Sequence, residues 1–339
     1  MTRPAEIILF CFVMTSLIGC SRDTSIASKD ALTVISQNVE DRRFVRVPTD
    51  STYLDLDIGN LFVRSLQVNG DSTLLALDEA NVSLVRISPK HDEFEVIGAG
   101  RGSGPGEHVV ITNYGQTQAG TIWTFDATQS RVTLFDRRGV FESTIPLDAS
   151  VQQVSVKESG IFGFSLNDGG SIIRLSPDGR SQEVAMVFSG SSDGKPGLKW
   201  SGHMIEGANN DGWVHVASNV NSIMTFIEPF KLSFAMFGID GPQDPSIVNH
   251  GDSYSFDSNA SLPIQIFGLN VWEDTIYVLA LHHVAEQMTL DAYSAVDGSY
   301  KYSFRIPVST GCAPLFVTDT DIFSRCPAGL VKLARVDVQ

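Results

Sequence analysis

Residues 102–145 read GSGPGEHVVITNYGQTQAGTIWTFDATQSRVTLFDRRGVFESTI, and this stretch decides the fold. Its centre is a pair of short runs in which bulky residues alternate with small or polar ones. They are Ile122–Asp126 (IWTFD) and Val132–Asp136 (VTLFD), joined by the polar connection ATQSR. Period-two alternation of β-branched and aromatic residues predicts strands rather than helix. A further run, Phe141–Ile145, follows Gly139, and Val109–Ile111 precedes the pair, so the unit reads as four strands.

The same shape recurs on both sides of this unit. Strand pairs are expected at Leu74–Asp78 with Val82–Ser88, Ile161–Ser165 with Ile172–Ser176, and Trp213–Ala217 with Ile223–Ile227. Two more are expected at Ile276–Ala280 with Met288–Ala292 and at Ile322–Cys326 with Leu330–Arg335. The starts at 74, 122, 161, 213, 276 and 322 recur with a mean period near fifty residues. That period suits four-stranded propeller blades. The expected fold is therefore all-β: a six-bladed β-propeller of four-stranded blades. The last unit runs out at Gln339, and the stretch around Phe44–Val47 is expected to supply its fourth strand and close the ring. Closure would cover the edges that an open sheet exposes.

Within residues 102–145, Gly102, Gly104, Pro105, Gly106, Glu107, Asp126, Arg131, Val132, Phe135, Asp136 and Gly139 match the pattern of the NHL repeat, which this unit resembles. His108 stands where that repeat usually has Phe. The likeness covers one blade, and the other five keep the strand rhythm with little of the signature. The chain as a whole resembles the six-bladed, NHL-like propeller lipoproteins of bacteria. That group implies a fold and no single reaction.

The N-terminus is read as an address. Arg3 is followed by an uncharged, mostly apolar run from Ile7 to Ile18, then Leu17-Ile18-Gly19-Cys20 and the polar Ser21-Arg22-Asp23. The layout fits a signal peptide, and the apolar run is shorter than the roughly 20 residues a spanning helix needs. Leu-Ile-Gly-Cys resembles the bacterial lipobox, which implies acylation of Cys20. The expected organisation is a signal peptide at 1–19, a polar tether at 20–41 and the propeller at 42–339. Residues Leu32–Ile35 are the one strand candidate inside the tether. The resemblance implies a palmitate-type lipid anchor in the cell envelope, on the outer membrane where the host has one, since Ser rather than Asp follows Cys20.

Composition narrows the function. Lys and Arg number 24 against 39 Asp and Glu, a net charge of −15. Such an excess of acid argues against a nucleic-acid partner, because phosphate binding needs a basic patch. The glycine-rich Gly98–Gly106 lacks the Gly-Lys-Ser/Thr of a phosphate loop and precedes no helix pattern, so its glycines are assigned to a tight crossing between blades. After processing, Cys312 and Cys326 remain, each seven residues from Asp319 at the centre of an expected hairpin. Opposed positions in an oxidising compartment predict a structural disulfide.

In a propeller, the crossings from fourth to first strand and the turns from second to third strand share one face. That face is expected to gather Arg101, Glu107, His108, Asn167, His203, Glu206, Asn219, Asn221 and His282. It also receives the longest insertion, residues 239–263, with His250 and Asp252. Long loops of this kind are commonly functional. The first reading is a monomeric, membrane-anchored module that binds a protein, glycan or small ligand, with no assigned reaction or cofactor. The alternative is a Ca²⁺-dependent hydrolase, by analogy with six-bladed propeller lactonases. Their Glu-Gly-Pro metal-ligand segment has no counterpart in the first blade, and Glu206 and Asn219 would have to substitute.

Overall fold

The computed structural model describes residues 34–45, 51–53, 63–68, 73–88, 93–148, 150–166, 170–187, 196–207, 212–227, 231–251, 253–257, 260, 264–282, 287–306, 313–317, 321–326 and 329–334. They form an all-β, propeller arrangement of small antiparallel sheets. Five sheets are blades of four consecutive strands. Blade 1 is Val63–Val68, Leu74–Asp78, Ser83–Ser88 and Glu93–Ile97; blade 2 is Asn113–Gln116, Ile122–Asp126, Arg131–Phe135 and Phe141–Pro146. Blade 3 is Gln153–Lys157, Gly160–Ser165, Ser171–Leu175 and Ser181–Val187. Blade 4 is Gly202–Glu206, Trp213–Ala217, Ser222–Ile227 and Lys231–Phe237. Blade 5 is Ile264–Trp272, Thr275–His282, Gln287–Ser294 and Tyr300–Ile306. First strands of successive blades lie side by side from blade 2 to blade 5, so the first strand is the inner one.

The remaining four-stranded sheet departs from the expected sixth unit. It is composite: Ala313–Val317, Asp321–Cys326 and Gly329–Ala334 come from the C-terminal end, and Ser51–Tyr53 is added from the N-terminal side. The stretch expected to close the ring, Phe44–Val47, does something else. Phe44 and Val45 pair in parallel with Ser303 and Phe304 on the outer strand of blade 5. The Tyr300 hydroxyl donates to the Arg43 carbonyl at 3.1 Å, and Arg305 lies over the Phe44 ring at 4.3 Å, which fixes that strand on blade 5. Val34 and Ile35, at the end of the expected tether, pair in parallel with Ala235 and Met236 on blade 4.

Two further expectations shift. The inner strand of blade 2 is Asn113–Gln116 and not Val109–Ile111, because the Val109 and Val110 amides donate to the Asp126 carboxylate instead of a strand ladder. The 63-residue interval between the fourth and fifth units, long enough for a short seventh blade, holds among the described residues a two-stranded hairpin, Ile247–Asn249 with Tyr254–Phe256.

Packing explains why the second strands were easy to see. In Ile122–Asp126 every residue is buried: Ile122 packs with Leu75 and Tyr114 toward blade 1, while Trp123 and Phe125 pack with Val154 and Ile173 toward blade 3. A strand buried on both faces carries apolar residues at most positions. Between blades 3 and 4 the same layer holds Phe162, Phe164, Trp200 and Trp213, with the Trp213 and Phe226 rings stacked at 3.7 Å. Each such side chain contributes about 1.5–3 kcal/mol by leaving water. Opposite the candidate face, blades 2 and 3 turn from third to fourth strand through Gly139 (φ 83°) and Gly179 (φ 86°). At Gly179 a Cβ would lie 2.0 Å from the Pro146 carbonyl oxygen, so both φ and space demand glycine.

Candidate binding face

The blade 1 to blade 2 crossing, residues 98–112, spends its polar groups on itself. The buried Asp126 carboxylate accepts from the amides of Val109 (2.7 Å), Val110 (3.3 Å) and Gln129 (3.0 Å). Arg131 donates to the Ser103 carbonyl at 3.1 Å and the Glu107 carbonyl at 2.5 Å. The Glu107 carboxylate in turn accepts from the Gly104 amide at 2.7 Å. His108 is 1% exposed, 2.6 Å from the Thr124 hydroxyl through Nε2, with its ring 6.3 Å from Phe135. Burial, helped by the Arg131 charge, lowers its pKa to about 4, so it is a neutral ring packed beside Phe135. Of Arg101, Glu107 and His108, Arg101 is the exposed one, held loosely at 3.4 Å from the Val109 carbonyl. The repeat motif here is a scaffold.

The blade 4 to blade 5 crossing is built differently. Its base is clamped by Gln243, a buried side chain that accepts from the Ile264 amide and donates to the Ile264 carbonyl, both at 3.1 Å. The Gln243 amide donates to Val220, and Asn221 donates through its side chain to the Gly241 carbonyl at 2.8 Å. Asn221, not Asn219, therefore ties the turn of blade 4 to the crossing; Asn219 is buried in that turn. Beyond the clamp the hairpin 247–256 pairs only with itself among the described residues. Val248, Asn249, His250, Tyr254 and Ser255 are exposed on it, with His250 Nε2 2.8 Å from the Ser255 hydroxyl. We refer to it as the arm. At the foot of the arm, the inner strand of blade 5 bulges between Ile266 and Gly268, leaving Phe267 48% exposed. His203, second in the inner strand of blade 4, lies toward the same end.

Glu206 does not belong to this face. Gly202 pairs with Ala217 and Glu206 pairs with Trp213, so Asn219 lies beyond the Gly202 end and Glu206 sits at the far end of the strand. At about 3.3 Å per residue the two are more than 10 Å apart, too far to share one cation. Glu206 instead faces Lys157 of blade 3, whose Nζ is 3.6 Å away and donates to the Gly212 carbonyl at 2.5 Å. Burial raises the Glu206 pKa to about 7 against the opposing pull of the Lys157 charge. Among the described residues no group of three His, Cys, Asp or Glu side chains is placed to hold a metal ion. Asn167, Asp252, Cys20, Cys312 and the side chain of Cys326 lie outside the described residues.

The densest polar cluster was missed from sequence. Arg42, just before the blade 5 edge strand, donates to both Asp240 oxygens (2.8 and 2.7 Å) and to Asp291 (3.0 Å). Its side chain is 9% exposed and that of Asp291 3%. Burial raises the Asp291 pKa to about 6, partly countered by Arg42. His282 stands beside the cluster, 2.8 Å from the Thr289 hydroxyl and 3.9 Å from Asp240; burial lowers its pKa. An aspartate inside the otherwise apolar run Met288–Ala292 was the available signal, since a buried charge needs a partner. His215 was another omission: it stacks on Phe164 at 4.9 Å, its Nε2 donates to the Trp200 carbonyl at 2.9 Å, and burial lowers its pKa to about 4.

No protein family matches the chain, and no curated protein matches it. Solved structures do. A Bacteroides fragilis protein described as exported matches with a TM-score of 0.59 at 13% identity, over 90% of this chain and 100% of that one. A member of the DUF4221 family from Bacteroides vulgatus matches at 0.53 and 10% identity, over 87% and 96%. A catalytically inactive virginiamycin B lyase from Staphylococcus aureus, solved with quinupristin, matches at 0.52 and 10% identity, over 85% and 99%. At such identities the likeness establishes the β-propeller fold and nothing about activity.

Proposed function

We propose that this protein is a membrane-anchored propeller, held in the cell envelope by acylated Cys20, that binds a protein, glycan or small molecule through the face bearing the arm. The observation that carries this reading is the contrast of a clamped base with an exposed hairpin, residues 247–256. An isolated two-stranded hairpin is marginal in water. A chain that anchors one firmly through Gln243 is suited to presenting it. Phe267, exposed on a bulge of the inner strand, adds an apolar contact near the axis, where bulges often re-aim side chains beside binding sites. We further propose that the composite sheet acts as a sixth blade closing the ring. Support comes from its strand Ala313–Val317, which lies beside the inner strands of both blade 5 and blade 1.

The test is site-specific photo-cross-linking in the intact envelope. Cross-linkers at Val248 and Tyr254 probe the arm; cross-linkers at Val140 and Val296, exposed in third-to-fourth-strand turns on the opposite face, are the controls. Discrete adducts from the arm positions alone are expected. Adducts from the control positions alone, or equally from both, would overturn the reading. Replacing Cys20 with Ser should release the protein from the membrane fraction.

A further inference from the structure

The N-terminal stretch 34–45 is attached to the body in an unusual way. Its two strands are two residues long each, and the 3-10 turn between them, Val39–Asp41, buries no residue. Ile35 and Val45 pack partly buried against blades 4 and 5, but Val39 is 53% exposed and Phe44 44% exposed, so apolar burial holds only part of this strap. Its main grip is polar. Gln37 donates to the Gly298 carbonyl at 2.8 Å, and Arg42 reaches the buried pair Asp240 and Asp291.

The second half of the observation is where Asp240 sits. It lies in the turn that opens the arm crossing, between Ile239, whose amide donates to the Tyr293 hydroxyl at 2.9 Å, and Gly241, whose carbonyl accepts from Asn221. Asp291 lies on blade 5 and bonds Ser303 at 2.5 Å. One Arg42 nitrogen contacts both carboxylates, so without the guanidinium the buried Asp291 would face the part-buried Asp240 uncompensated. Removing one partner of a buried charge group is costly because the rest is left uncompensated. A Cβ at Gly241 would meet nothing within 4 Å, so the crossing turn has room beside it for a changed position.

We infer that residues 34–45 form a releasable clasp, in which Arg42 on Asp240 and Asp291 makes the order of the arm base depend on docking of the N-terminal strap. The clasp links the segment nearest the N-terminus to the crossing that carries the arm. It holds whether or not the arm binds a partner and whether or not Cys20 is acylated. Local opening of such units is measurable apart from global unfolding.

The test is amide exchange on the full chain, comparing the wild type with Arg42→Gln. Exchange in 34–45 and in the arm base 238–246 is expected to rise about tenfold or more, with blade 2 (113–146) unchanged, as expected for a local opening. Adding Asp240→Asn and Asp291→Asn to Arg42→Gln removes the repulsion and should return protection to 238–246 while the strap stays free. Should Arg42→Gln fail to fold, the wild type serves: the strap and 238–246 should open with the same free energy at low denaturant. Release of the strap with unchanged exchange at 238–246, a uniform rise across all blades, or unequal opening in the wild type would each overturn the inference.

Discussion

The crossings from blade 1 to blade 2 and from blade 4 to blade 5 occupy the same place in the repeat and use their residues in opposite ways. In the first, Asp126, Arg131, Glu107 and His108 are all turned inward onto loop amides, loop carbonyls or a core hydroxyl. In the second, Gln243 and Asn221 fix the base, and the chain then leaves the body as an exposed hairpin. The lesson is that the residues most like a known repeat are the least available for binding. The crossing without a recognisable motif is the one that carries an exposed hairpin.

Substitutions should separate the two crossings by size of effect. Asp126→Ala removes the acceptor of three amides and should cost about 3 kcal/mol in urea unfolding, since each unmet buried donor costs about 1–3 kcal/mol. A loss below about 1 kcal/mol would show that this crossing is not held by that carboxylate. Gln243→Ala strips both bonds from Ile264 and should cost about 2 kcal/mol while raising exchange across 244–257. Replacing residues 246–257 with a short Gly-Ser link should change stability by less than about 0.5 kcal/mol, as expected of surface removed from the core. It should also abolish arm cross-links.

Acid dependence sharpens the contrast further. His108 has a folded pKa lowered to about 4, so the unfolded chain binds the extra proton between pH 4 and 6.5. Its contribution is complete above pH 6.5 and is lost as pH falls through that window. Glu206 is raised to about 7, so the folded chain holds the extra proton between its ordinary 4.5 and 7, and stability falls as pH rises there. Glu206→Gln should therefore make stability rise more steeply with pH between 4.5 and 6.5 than in the wild type. His108→Phe should flatten it. Denaturant midpoints across pH 4–7.5 check both signs.

How much was legible follows from these particulars. The second strands, such as Ile122–Asp126 and Trp213–Ala217, are buried on both faces, and their apolar density marks them with almost the right ends. Val109–Ile111 is equally apolar, but its amides are diverted to Asp126, a contact no local pattern reports. Phe44–Val47 and Ser51–Tyr53 both look capable of edge pairing; the choice rests on Tyr300 and Arg305, about 260 residues away in the chain. His203 and Glu206 differ by three positions in one short strand, yet they stand near opposite ends of it. Face assignments made by loop counting fail wherever a residue sits in a strand instead of a turn. The Arg42 cluster joins residues 198 and 249 positions apart, beyond the reach of periodicity.

The most direct measurement is limited chymotrypsin digestion of the folded chain, followed by a thermal melt of the product. The account predicts first cleavage in the arm, at Tyr254 or Phe256, giving a nicked protein that melts as the intact one does. First cleavage in the 98–112 crossing, or a nick in the arm that lowers the midpoint of the whole body, would contradict it.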